Sequence, residues 1–79
     1  MAPSIKNVSI KNFKSFLLHY GLKQIRIEGG HEIWSGKELT RPVVFQTHID
    51  PVPLFIIKSN LRTMGLTLKD LRKFLDSCN

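Results

Sequence analysis

Apolar residues recur at helical spacing in three stretches of the chain, and strand-like runs lie between the first two. Ile10, Phe13, Leu17 and Tyr20 follow a three-to-four-residue period, with Phe16 beside them. Lys11, Lys14, Ser15 and His19 fall mostly on the other side. This pattern predicts an amphipathic helix of about three turns. Ser9 is placed to cap its start and Gly21 to close its end. From Leu22 to Ile27 the pattern alternates, with Ile25 and Ile27 opposed to Gln24 and Arg26, which predicts a half-buried strand. Gly29-Gly30 permits a tight reversal, because glycine reaches positive φ without steric cost. His31 to Ser35 then reads as a second strand carrying Ile33 and Trp34. Ser35-Gly36-Lys37 begins another turn, and Arg41 to Ile49 reads as a third strand led by Pro42.

Asp50-Pro51-Val52-Pro53 continues neither a strand nor a helix and reads as a rigid connector. Pro53 suits the first helical position. A helix is predicted from Leu54 to Met64, stopped by Gly65, with Leu54, Ile57, Leu61 and Met64 inward and Phe55 nearby. Thr67 as N-cap with Asp70 three residues on, and Leu66 stapled to Leu71, announces a last helix running to about Asp76. Its inward positions are Leu68, Leu71, Phe74 and Leu75. The order α-β-β-β-α-α predicts an α+β fold: a three-stranded antiparallel sheet with helices on one face and the other face open to a ligand. No repeat or low-complexity tract interrupts it, so residues 1–79 read as one domain with residues 1–8 as a short N-terminal tail.

Composition narrows the picture. The 79 residues carry twelve Lys and Arg against six Asp and Glu, a formal net charge of +6. A chain of this size buries only roughly 60–65% of its unfolded surface, so a partner or a second copy adds stability. The charge favours a polyanion, through phosphate neutralisation, or an acidic protein. Cys78 is the single cysteine and lies one residue from the end, so neither a disulfide framework nor a cysteine metal site is expected. No apolar run suits a signal peptide or a membrane helix, and a cytoplasmic protein that does not enter a membrane is expected.

Gly29-Gly30-His31-Glu32-Ile33-Trp34, Phe45-Gln46-Thr47-His48 and the stretch from Ile57 to Leu66 with the Thr67-led helix together resemble the HicA (YcfA-like) toxin family. The family has a Gly-Ser-His-His step between its first two strands; here the stretch reads Gly29-Gly30-His31-Glu32-Ile33-Trp34. Its third strand ends in a Val-Pro-x-His-like step, whose place is taken by Phe45-Gln46-Thr47-His48. Its penultimate helix resembles Ile57 to Leu66, followed by the Thr67-led helix. The resemblance covers about Ser9 to Leu75. It implies a double-stranded-RNA-binding-domain-like fold and a toxin that cleaves mRNA, neutralised by a HicB-type antitoxin protein. The family's catalytic histidine maps onto His31. Two positions depart from the family: Glu32 replaces the second histidine and Gly30 replaces the serine. A carboxylate beside His31 would either repel phosphate or raise the imidazole's basicity.

The chemistry implied is spare. Cutting RNA needs a base for the ribose 2′-OH, an acid for the leaving 5′-oxygen and positive charge at the phosphate. Imidazole serves both proton roles, because its ordinary pKa of ~6.5 lies near working pH. No metal and no cofactor is required. By residue type alone His31 is an ordinary turn histidine; the resemblance gives it the role of general acid or base. His48 is an auxiliary candidate, or a strand-end histidine bonded to backbone. Lys23, Arg26, Lys37, Arg41, Lys58 and Arg62 are the RNA-binding candidates, with Gly29 and Gly30 forming the turn. Trp34 reads as a base-stacking side chain or a core aromatic; strand parity sets it on the face opposite His31. A second class of function fits the same features: a non-catalytic basic module that binds RNA or another protein.

Overall fold

The computed structural model describes residues 8–77. Its order is α1 (Ile10–His19), β1 (Lys23–Glu28), β2 (His31–Ser35), β3 (Val43–Gln46), α2 (Leu54–Met64) and α3 (Leu68–Ser77). The strands form one antiparallel sheet in the order β1-β2-β3. This is the α-β-β-β-α-α layout of an α+β fold. Cys78 and residues 1–7 of the expected tail lie outside the described residues. Val8 belongs to the structure: it is buried, and its carbonyl accepts a hydrogen bond from the Val52 amide at 2.9 Å.

The helix ends obey local chemistry. Ser9 Oγ accepts from the Asn12 amide at 3.1 Å. Gly21 at φ 82° and Gly65 at φ 73° let α1 and α2 close with paired carbonyls: the Leu22 and Leu66 amides donate back to Leu17 and Leu61. At α3 the capping is reciprocal, with Asp70 Oδ2 accepting from the Thr67 amide at 2.8 Å and Thr67 Oγ1 accepting from the Asp70 amide at 3.4 Å.

One face of the sheet is covered. Trp34, Val43 and Phe45 meet Phe13, Phe16 and Leu17 of α1, Ile57 and Leu61 of α2, and Leu71 of α3 in a single core cluster. Phe13 meets Phe45 edge-on with centroids 5.2 Å apart. Buried Asn60 of α2 binds the backbone of Val44 both ways, its Nδ2 donating to the carbonyl at 3.0 Å and its Oδ1 accepting from the amide at 3.4 Å. An α2 side chain thereby occupies the outer edge of β3.

Several expectations need correction. Ile25 and Ile27 do not alternate into a core, and all of β1 is exposed. The register with β2 slips between Gln24 and Arg26, so Ile25 forms a bulge that breaks the two-residue period, and β1 is an edge strand. The third strand runs only from Val43 to Gln46, not from Arg41 to Ile49. Its last pairs are Trp34 with Val43 and His31 with Gln46. Past Gln46 the Gly29-Gly30 turn bounds β2, and before Val43 the next position is Pro42, which has no N–H to give the ladder. Pro42 therefore precedes the strand instead of leading it. Tyr20 and Leu54 are exposed, not inward. Pro53 caps α2 from outside at φ −60° and ψ 142°, one position before the first helical residue.

Candidate functional site

Strand parity settles which face is open. Glu32 and Trp34 turn under the helices, while His31 and Ile33 turn away from them. On the open face His31 stands between Glu28 of β1 and Gln46 of β3, its cross-strand partners. Side chains so paired have Cβ atoms about 5 Å apart. Arg26 shares this face, opposite Ile33, and its guanidinium bonds the Glu28 carboxylate at 2.6 Å.

The turn before His31 is built by Gly29 at φ 56° and Gly30 at φ 80°. Positive φ at both central residues is the type I′ requirement, which suits the twist of a hairpin. Gly30 has a second reason to lack a side chain. A Cβ there would lie 2.8 Å from both Cε1 and Nε2 of His48. The His48 imidazole thus covers the Gly30 backbone, and the Thr47 amide donates to the Gly30 carbonyl at 2.8 Å. Two histidines far apart in sequence are brought to one end of the sheet, both exposed.

The basic candidates divide into groups. Arg26 lies near His31, as above. Lys23 is on the same face but pairs with Ser35, at the far end of β2, roughly 13 Å along the strand by its rise per residue. Lys37 and Arg41 sit in the loop at that far end, where Lys23 and Lys37 line a groove of about 710 Å³. Lys58 and Arg62 are exposed on α2, the helix that packs on the covered face of the sheet. A smaller apolar cavity of about 250 Å³ lies at the His31 end, lined by Gln46, Ile49, Phe55 and neighbours. Phe55 is 72% exposed at its rim. Among the described residues no group of three or more His, Cys, Asp or Glu side chains is arranged to hold a metal ion.

Glu32 does not stand beside His31 in space. It is 1% exposed on the covered face. Its Oε1 accepts from Gln24 Nε2 at 2.8 Å and from Trp34 Nε1 at 3.1 Å, and its Oε2 pairs with Lys14 Nζ at 3.1 Å. Burial pushes this carboxyl up, but the hydrogen bonds from Trp34, Lys14 and Gln24 and the Lys14 charge together hold it below its ordinary value. Trp34 is a core aromatic, 4% exposed and stacked on Phe45 with centroids 6.4 Å apart.

Glu28 and Gln46 are the site residues that sequence reasoning missed. Glu28 was within reach: a two-residue turn at Gly29-Gly30 fixes the residue before it opposite the residue after it. Gln46 had no local signal, because it depends on the β2–β3 register. Fold and site together define a small α+β domain with an open sheet face that carries a histidine at one end. Comparison with family models, with curated proteins and with solved structures finds no match to this chain.

Proposed function

We propose that this protein is an endoribonuclease toxin of the HicA kind, which cuts mRNA without a metal and is silenced by a HicB-type antitoxin. The observation that carries the reading is the outward placement of His31 on the open sheet face, with His48 at the same end. In this reading His31 removes the ribose 2′-OH proton, and the 2′-oxygen attacks the adjacent phosphorus. The 5′-oxygen leaves, taking a proton from His48, and a 2′,3′-cyclic phosphate remains. Arg26 faces the phosphate, and Phe55 offers a ring for a neighbouring base. A double-stranded-RNA-binding-domain-like ancestry and a cytoplasmic site of action go with the same reading.

A second reading has one observation in its favour. The Glu28 carboxylate faces His31 and occupies Arg26. That arrangement suits a non-catalytic module that docks RNA or an acidic protein at the lysine-rich end. Incubation of single-stranded RNA with pure protein in EDTA separates the two. Time-dependent cleavage that leaves cyclic-phosphate ends, abolished by His31→Ala, is expected. Salt-dependent binding without scission would overturn the nuclease.

A further inference from the structure

Strand β1 is the barest element of the molecule. All six of its residues are exposed, and among the described residues no strand pairs with its outer edge. Such an edge offers free N–H and C=O groups to another chain. Exposed apolar side chains gather round it: Ile25 at 52%, Ile27 at 55% and Leu18 at 59%. Leu18 belongs with them by helix geometry. It lies one turn after Lys14, whose ammonium reaches Glu32 on the covered face, so both project on that side of α1.

The bulge gives this edge a particular symmetry. Residues five apart on a regular strand face opposite ways. Because Ile25 is the extra residue, Lys23 and Glu28 share the open face, opposite Ser35 and His31. For the same reason Gln24 and Ile27 share the covered side, opposite Trp34 and Glu32. An antiparallel copy of β1 can therefore align Lys23 with Glu28 of the second copy and Gln24 with Ile27 of the second copy. Faces match at both pairs, and opposite charges meet twice. A slip of one residue either way sets an open-face side chain against a covered one. A slip of three residues sets like faces together, Ile27 against Ile27 one way and Gln24 against Gln24 the other, but leaves Lys23 or Glu28 outside the pairing and loses both Lys23–Glu28 contacts.

We propose that the protein self-associates through β1 in this two-fold register, so that two three-stranded sheets become one of six strands. Ile27 of each copy then packs beneath Leu18 of the other, and both His31 side chains stay on one continuous open face. The contact is isologous, hence closed at two copies. A single pair of short strands makes an interface below the standard size, so the dimer is weak, with a dissociation constant between ~1 μM and ~1 mM.

The test is sedimentation equilibrium of the full chain across that concentration range, with circular dichroism to confirm folding of each variant. The parent is expected to pass from monomer to dimer. Lys23→Glu and Glu28→Lys alone are each expected to stay monomeric, because like charges then meet, and the double variant is expected to dimerise again. A parent monomeric throughout would overturn the proposal and leave the edge to an acidic partner. A dimer that survives both single changes would overturn the register. Cleavage plays no part in these readouts, so they stand or fall apart from the nuclease reading.

Discussion

The two faces of the sheet hold almost the same chemistry and use it in opposite ways. On the covered face a carboxylate, Glu32, meets a lysine, an amide and an indole, and all of them bond it at 2.8–3.1 Å. On the open face a carboxylate, Glu28, meets an arginine at 2.6 Å with both side chains well exposed. Water screens the second pair, and pairs of that sort contribute about 0–1 kcal/mol to stability. The first is withdrawn from water, so its hydrogen bonds must replace hydration, and losing one leaves a buried group wanting. Burial turns charge into structure; exposure leaves charge free to meet a ligand. His31 and Glu32 are neighbours in sequence, yet the pleat of one strand assigns them to these different tasks.

Substitutions that separate the faces sharpen the contrast. The largest effect on activity is expected from His31→Ala, a loss of about 10²–10⁴-fold in RNA cleavage with an unchanged melting temperature. The largest effect on stability is expected from its opposite on the covered face. Trp34→Ala removes a ring stacked on Phe45 and a donor to Glu32, and should cost about 3–5 kcal/mol in urea unfolding.

Glu32→Gln keeps the shape and removes the charge, leaving Lys14 without its partner. A loss of about 1–3 kcal/mol at neutral pH is expected. The pH dependence has a definite sign. The Glu32 carboxyl is held below its ordinary value of 4.5, so its contribution is fully present above that value and is lost as pH falls through the folded-state value below it. Melting curves of parent and Glu32→Gln should converge on acidification below pH 4.5 and stay separated at pH 7.

The smallest effect is the most local. Gly30→Ala forces a side chain into left-handed backbone at φ 80°, at about 1–2 kcal/mol, and drives the His48 ring off the turn. If His48 supplies the second proton, cleavage should fall by more than the change in stability explains, as in His48→Ala. Gly30→Ala with parent-like cleavage would remove His48 from the chemistry.

Much of this division was legible in the sequence, and the rest was hidden for physical reasons. Helix ends were readable because their signals are local: Ser9, Gly21, Gly65 and the Thr67–Asp70 pair act within a few residues of themselves. The Gly29-Gly30 hairpin was readable for the same reason, and with it the opposition of His31 and Trp34. The bulge at Ile25 was not, because two isoleucines two apart give the same pattern on a regular half-buried strand as on a bulged edge. Nor was the open face, since Ile33 sides with His31 and Trp34 with Glu32, and only packing shows which pair lies under the helices. Glu32 looked like a neighbour of His31 because proximity along the chain is not proximity across a strand. The reach of Asn60 to Val44 needed the tertiary structure, sixteen residues separating the partners.

The most direct measurement compares His31→Ala with Glu32→Gln, two adjacent residues read by the same two assays: RNA cleavage in EDTA and thermal unfolding. His31→Ala is expected to melt like the parent and not to cut, while Glu32→Gln is expected to melt lower and still cut when held below its transition. Parent-like cleavage by His31→Ala would contradict the catalytic role of His31.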